Sequence, residues 1–443
     1  MKIIIAGAGE VGSHLAKLLS KENQDVILID SNEQKLANFD SYNLMTYVGS
    51  PISFKTFKNV EVADADLFIA VTPFETQNIT ACSIAHHLGA SHTVARIDNY
   101  EYLKSQGREF FSSIGVDELI YPELLAAEEM RTALKRTWVR NWFELYNGEL
   151  IVIGVKVREN ARLTGMHLKD LAAMSAHFHI SAIKRNQETI IPRGDDYIKT
   201  NDILYFSTTK DYVDTIRELC GKKELEVKRV LMMGGSRIGI QLAKICGDEF
   251  KFKIIEINRD KCIEIAEKLP DANIVNGDGR DVELLTIEGI QDYDAFIALT
   301  DSSEANILGC LTAKERGVPK TIAEVETIQF INVAENLNIG TIVNKKLLSS
   351  SKIFQLLLDS DTSNAKCLAL ADAEVAELVV KSNAKVTHGA VKDLKLTRDM
   401  TIAGLIRDGK GMPVNGNTQI MAGDHVVIFC LNGAIHKAEK LFN

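Results

Sequence analysis

Nowhere in its 443 residues does the chain string together the roughly 18 uninterrupted apolar residues that cross a bilayer, so no spanning helix is expected. Its start lacks a charged n-region leading into an apolar h-region that ends in small residues. It opens instead as a strand, and export is not expected. The seven cysteines (residues 82, 220, 246, 262, 310, 367 and 430) are scattered, mostly in apolar surroundings, with no C-x-x-C among them. Reduced, buried thiols in a cytosolic protein are therefore expected, rather than metal or disulfide use. Positive charge is also short: 51 Lys and Arg against 60 Asp and Glu leave a net charge of −9. A general nucleic-acid binder would show a basic face. The absence of a helix-turn-helix with a basic recognition helix ranks a redox-responsive transcription repressor last. The 46% hydrophobic content suits several compact domains rather than one core.

What the chain does have is a repeated glycine-rich turn. Met1-Lys-Ile-Ile-Ile-Ala runs into Gly7-Ala8-Gly9-Glu10-Val11-Gly12, followed by the helix-periodic Leu15, Leu18 and Leu19. Half a chain later, Arg229-Val-Leu-Met-Met runs into Gly234-Gly235-Ser236-Arg237-Ile238-Gly239, followed by Leu242, Ala243 and Ile245. One G-x-G-x-x-G is unspecific. Two in strand–turn–helix context, each followed by an acidic residue, predict dinucleotide folds. The first glycine allows the sharp turn, the second clears space for a pyrophosphate, and the third lets helix and strand pack closely. The helix N-terminus then offers free N–H groups and partial positive charge.

Asp30 closes the next apolar run, Val26-Ile-Leu-Ile29, where a carboxylate would accept from ribose hydroxyls. No Arg stands among Ser31, Asn32 and Glu33, which favours NAD-type or adenine nucleotides over NADP. In the second copy Ser236 narrows the phosphate approach, Arg237 could reach a phosphate, and Glu256 closes Lys253-Ile-Ile255. A functional second site and a pseudo-copy that kept only the fold both remain open there.

The repeat runs on in register. Asp66-Leu-Phe-Ile-Ala-Val-Thr72 answers Asp294-Ala-Phe-Ile-Ala-Leu-Thr300, Asn78 answers Asn306, and Arg96 falls opposite Glu324. Val48-Gly-Ser50-Pro51 answers Asn276-Gly-Asp278-Gly279. All sit at strand C-termini, the edge where open α/β sheets gather ligands. Helix capping alone would also explain Thr and Asn at those places. Each half then continues into short strands and helices: Leu150–Val157, His167–Leu171 and Ile203–Phe206, echoed by Ala376–Val380, Val391–Leu396 and Val426–Phe429. The predicted fold class is α/β: two Rossmann-like, doubly wound parallel sheets, each followed by a small α+β domain. Boundaries are expected to give domains at 1–137, 138–225, 226–363 and 364–443.

The residues Lys2–Gly12, Ile69-Ala-Val-Thr72, Ala95-Arg96-Ile97 and Phe296-Ile-Ala-Leu-Thr300, set in that tandem order, resemble the TrkA family of the bacterial Trk potassium-uptake systems, tandem RCK domains. The resemblance spans essentially the whole chain. It implies a regulatory subunit, not an enzyme, that is cytoplasmic and peripheral on the inner face of the cell membrane. It also implies binding to a membrane potassium-translocating subunit of the Trk type, assembly as a homo-oligomer (a tetrameric ring), and no nucleic acid partner. Implied cofactors are NAD or NADH, with ATP or ADP as the other candidates. Carried over residue by residue, the contacts fall in the first half on Gly7, Ala8, Gly9, Glu10, Val11, Asp30, Ser50, Thr72, Pro73 and Arg96. In the second they fall on Gly235, Ser236, Arg237, Ile238, Gly239, Glu256, Asp278 and Thr300. Ser50 stands where the family often has Asp, and Glu324 takes the place of Arg96, removing a cationic phosphate partner. Tighter binding is therefore expected at the first site.

The rival reading is an NAD-dependent oxidoreductase. It needs a proton-shuttling group aimed at the nicotinamide; His167, His177 and His179 are available, but no spacing selects one. His86-His87 sits on a predicted helix, where adjacent side chains diverge by about 100° and cannot chelate together. The segment 127–136 reads as an amphipathic helix, either for assembly or as a solvated face. Trp138 and Trp142, the only tryptophans, follow it; interface use of such residues is common but not diagnostic.

Overall fold

The computed structural model describes the whole chain except residues 22–23, 175, 187, 361–367, 371–372, 395, 432–433 and 443. The sequence boundary at 363/364 and Cys367 lie outside the described residues. The chain divides into two compact units, each assembled from both halves of the sequence: residues 1–131 with 228–357, and residues 132–227 with 358–443.

The first unit holds two parallel sheets of identical topology. In the first copy β1 (Lys2–Ala6), β2 (Asp25–Asp30), β3 (Met45–Val48), β4 (Leu67–Ala70), β5 (Thr93–Arg96) and β6 (Glu118–Ile120) lie in the order 3-2-1-4-5-6. Ile3, Ile4, Ile5 and Phe68 are fully buried, as an all-parallel sheet covered on both faces requires. Its helices are α1 (Glu10–Lys21), α2 (Glu33–Leu36), α3 (Phe54–Asn59), α4 (Glu75–Leu88), α5 (Ser105–Ser113) and α6 (Pro122–Lys135). Leu15, Ala16 and Leu19 form the buried stripe of α1. Strand order reverses at β1, between β2 and β4, so the Gly7 turn and the Thr72 loop open onto one crevice. His86 and His87 are exposed near the end of α4, their rings 5.5 Å apart.

The second unit holds two antiparallel sheets. In the first, β7 (Asn141–Leu145), β8 (Leu150–Lys156), β9 (Phe178–Arg185), β10 (Glu188–Ile190) and β11 (Ile203–Thr208) take the order 10-9-11-8-7, with α7 (Leu168–Met174) and α8 (Val213–Leu219).

The second parallel sheet repeats the first with β12 (Arg229–Met233), β13 (Lys251–Glu256), β14 (Asn273–Asn276), β15 (Ala295–Ala298), β16 (Lys320–Glu324) and β17 (Thr341–Val343), ordered 14-13-12-15-16-17. It carries α9 (Arg237–Cys246), α10 (Arg259–Lys268), α11 (Val282–Ile287), α12 (Ser303–Glu315), α13 (Gln329–Asn336) and α14 (Lys345–Ser360). The second antiparallel sheet has β18 (Leu368–Leu370), β19 (Ala373–Val379), β20 (Met400–Arg407), β21 (Lys410–Pro413) and β22 (His425–Leu431), ordered 18-19-22-20-21, with α15 (Ile435–Phe442) behind it.

Sequence order suggested nucleotide and α+β domains alternating along the chain. In space, like packs with like. The two antiparallel sheets share a buried cluster that includes Leu150, Val152 and Tyr205 from one and Val375, Val427 and Phe429 from the other. Trp138 and Trp142 pack against the core of the first of these sheets, and the Arg136 guanidinium lies 3.3 Å from the Trp142 ring centroid. The amphipathic helix around residue 130 is α6; it buries Ala126, Ala127 and Met130, and Arg131 pairs with Glu249 of the second copy.

Candidate nucleotide sites

The first turn is built to be empty at one point. Gly7 has φ +111°, a conformation that favours glycine, and a Cβ on Gly12 would lie 1.9 Å from the Gly7 carbonyl oxygen. A Cβ on Gly9 would meet nothing within 4 Å. The first and third glycines thus hold the turn and the strand–helix contact, while the second leaves open the place where a phosphate would meet the α1 amides.

Asp30 reaches the same turn. Its two carboxylate oxygens accept from the N–H groups of Ala8 and Asn32, each at 2.8 Å, and Lys35 stands 3.7 Å away. The residue expected at the ribose therefore also staples the turn to β2. Each carboxylate oxygen keeps a second lone pair for a hydroxyl. Lys35 was not singled out from the sequence; a lysine one helical turn beyond the acidic residue was the available signal.

Thr72 and Asn78 form a brace. Asn78 accepts from the Thr72 amide and hydroxyl at 2.9 and 2.7 Å and donates to the carbonyls of Thr72 and Arg96 at 3.0 and 2.9 Å. Thr300, Asn306 and Glu324 reproduce this brace with distances of 2.9, 2.7, 2.9 and 2.9 Å. The side-chain pair locks neighbouring strand ends at the crevice. Pro73 is exposed beside it, and Ser50 caps its own loop, accepting from the Ile52 amide at 3.5 Å. Arg96 sits at the end of β5, 3.3 Å from Asp98, with its Nε buried and unpartnered.

The second turn has the same frame and a different occupant. Gly235 donates to Glu256 at 2.7 Å, as Ala8 does to Asp30. Ser236, however, is the N-cap of α9 and accepts from the Gly239 amide at 3.3 Å. The serine hydroxyl thus takes an N–H that a phosphate would otherwise use. Ser236→Gly is expected to tighten adenine-nucleotide binding at this turn several-fold, since a cap replaced by Gly costs only a few tenths of a kcal/mol. Calorimetric titration of the variant in a Gly9→Val background would show it, and no gain over the parent would refute it.

Next to this turn lies a cavity of about 350 Å³ lined by Glu256, Lys261, Asp278, Arg280 and Thr300, among others. Glu256 carries a carboxyl held below its ordinary range: burial opposes this, but the Asn258 and Gly235 amides and Lys261 outweigh it. Arg280 grips Asp278 through its Nε and Nη2 at 2.9 and 2.7 Å and lowers its pKa. Arg280 and Lys261 are the cations that sequence reasoning missed here.

Arg237 does not line this cavity. Its guanidinium lies 3.1 Å from Glu123 and 3.8 Å from Asp98, both of the first copy. Reciprocally, Glu10, its counterpart, pairs at 2.5 Å with Lys346 at the start of α14. Ile238 and Gly239 are buried in α9, as Val11 is in α1. The helix that opens each glycine turn thus contacts the first turn of the other copy's last helix, with the charges exchanged.

Glu324 completes this cluster. It lies 3.4 Å from Lys345, but burial outweighs that cation and pushes its carboxyl up to about 7. Because the folded value exceeds the ordinary 4.5, its contribution to stability is complete below about pH 4.5 and is lost as pH rises toward 7. Glu324→Gln should flatten the melting temperature of the first unit across that window; an unchanged profile would refute the assignment.

Paired doubly wound sheets, each with a glycine-rich turn at its switch point, define a tandem dinucleotide-fold protein. The TrkA-N domain model matches residues 3–122 and 230–345, and the TrkA-C domain model matches residues 152–221 and 375–443. The chain belongs to the TrkA family. It is 31% identical over 451 residues, covering all of both chains, to "Trk system potassium uptake protein TrkA homolog 2" of Methanosarcina mazei. It is 30% identical to "Trk system potassium uptake protein TrkA" of Haemophilus influenzae, covering all of this chain and 98% of that one. Among solved structures it is similar to the "GsuK channel bound to NAD", with a TM-score of 0.60 at 15% identity over all of this chain and 78% of that chain. At that identity the likeness shows the fold.

Proposed function

We propose that this chain is a nucleotide-binding regulatory subunit that gates a membrane potassium-translocating subunit of the Trk type. It works as a homo-oligomeric ring, a tetramer, at the cytoplasmic face of the membrane. The observation that carries the reading is the open N-terminus of α1 at Gly9, with the Asp30 carboxylate bonded to the same turn and Glu10 tied to the second copy. The first site takes NAD or NADH, with ATP or ADP as competitors, and the self-capped second turn binds more weakly. The relatives' names, potassium uptake proteins of the Trk system, supply the transport context.

A phosphate at α1 brings negative charge beside Glu10, and so into the Glu10–Lys346 contact that joins the copies. A ligand shifts the arrangement of domains only by its differential affinity for the alternatives, typically about 1–3 kcal/mol per site, which a ring sums over its subunits.

The three histidines considered for hydride chemistry have other roles. Burial pushes His179 down to about 4, His177 stacks on Tyr212 at 3.8 Å, and the His167 ring pairs with the Asp195 carbonyl at 2.9 Å. These placements favour a sensor over an oxidoreductase.

The test is calorimetric titration with NAD, NADH, ADP and ATP, alongside potassium flux through the reconstituted translocating subunit. Saturable binding with a nucleotide-dependent change in flux is expected. Flux indifferent to every nucleotide, or steady hydride turnover on a metabolite, would overturn the proposal.

A further inference from the structure

A second, chemically distinct cavity of about 430 Å³ lies between the two nucleotide folds of the first unit. One wall is the segment after β5 and the junction between β6 and α6, with Asp98, Tyr100, Lys104 and Tyr121. The other is one face of α9, where Arg237, Gln241 and Lys244 recur at helical spacing, together with Lys268. The cavity shares no lining residue with the one at the second turn and none of the glycines of the first.

Three features suit it to a ligand. Its volume lies within the ordinary range of small-molecule pockets, about 300–1,000 Å³. It gathers cations from both folds, and Lys104 and Lys244 have no carboxylate partner among the described residues. Gln241 is 7% exposed; its side-chain amide hydrogen-bonds the Tyr121 hydroxyl, while its buried Oε1 has no partner. An orphaned buried acceptor is costly, by about 1–3 kcal/mol, and is relieved only by a donor.

We propose that this cavity binds a small phosphorylated polyol, a sugar-phosphate-sized ester, at a site separate from both glycine turns. Lys104 and Lys244 meet the phosphate from opposite walls, with Arg237 beside them. Gln241 Oε1 accepts from a ligand hydroxyl, and Asp98 and Glu101 offer further acceptors. Tyr100 and Tyr121, their ring centroids 6.3 Å apart, cover the carbon skeleton. A ligand there bridges the two folds next to the Arg237–Glu123 pair, so it fixes their contact.

The probes are glucose 6-phosphate, inorganic phosphate and glucose, titrated by calorimetry into full-length Gly9→Val protein, whose first turn is blocked. One molecule of glucose 6-phosphate per chain is expected, bound at least ten-fold more tightly than phosphate or glucose. Lys104→Glu with Lys244→Glu should weaken it at least ten-fold without lowering the melting temperature, both side chains being exposed. Gln241→Leu should narrow the gap between the ester and inorganic phosphate. No saturable binding of the ester, or binding unmoved by the paired lysine variant, overturns the proposal. NAD binding to the parent protein is read separately, so failure here leaves the first-turn site untouched.

Discussion

Gly9→Val protein is expected to melt as the parent does and to lose nucleotide binding at the first turn by about 100-fold or more. The two halves of that result have one cause. A Cβ at residue 9 enters open space, so the fold has nothing to rearrange. The same space is where a pyrophosphate would approach the α1 amides, so branched carbons there exclude the ligand. About 100-fold corresponds to roughly 2.7 kcal/mol, in the range of a charge-assisted hydrogen bond to a phosphate. Gly12→Val is the contrasting variant: its Cβ would sit 1.9 Å from a backbone oxygen, so it should unfold or distort the first copy itself. Calorimetry with NAD and thermal melts of both variants separate the outcomes. Parent-like affinity in Gly9→Val would remove the first turn from consideration.

The largest stability effect is expected in the second unit, at Asp202. This carboxylate is 2% exposed and takes both arms of Arg185, at 2.9 and 2.7 Å, plus the Lys199 amide at 2.8 Å. Asp424 repeats the arrangement with Arg407 and the Met421 amide, at 2.8, 2.6 and 2.8 Å. Removing one partner of a buried pair leaves an uncompensated charge, which costs about 3–5 kcal/mol. Asp202→Ala and Asp424→Ala should each lower the unfolding free energy of the second unit by that amount, read from the shift of its urea midpoint at unchanged slope. Asp195→Ala, which removes the exposed Lys169 pair, should not measurably change it. Hydrogen exchange in β9 and β11 against that in β1 would localise the loss. A small effect at Asp202 would mean that solvent reaches the pair.

The residue types of Thr200-Asn201-Asp202 and Gly423-Asp424, just before apolar runs, are themselves turn signals. That the aspartate is buried beneath an arginine on the neighbouring strand is not legible there, because the partner lies 17 residues away and turn chemistry alone accounts for Asp there. The same limit applied at Arg237. Its place in a glycine turn suggests a phosphate partner, yet its guanidinium is engaged by Glu123 across the interface between the copies.

The sequence by itself determined the parallel folds and their tandem repetition, because strand–turn–helix signals are short-range. Continuous apolar runs, glycines with no tolerable Cβ and the acidic residue at the next strand end are each read within some thirty residues. Tertiary structure alone decided that like domains pair with like. It also exchanged the charges of Glu10–Lys346 and Arg237–Glu123 and left a lysine-lined cavity between the folds. Those features depend on surfaces contributed by segments more than a hundred residues apart, and no local periodicity encodes which buried face meets which.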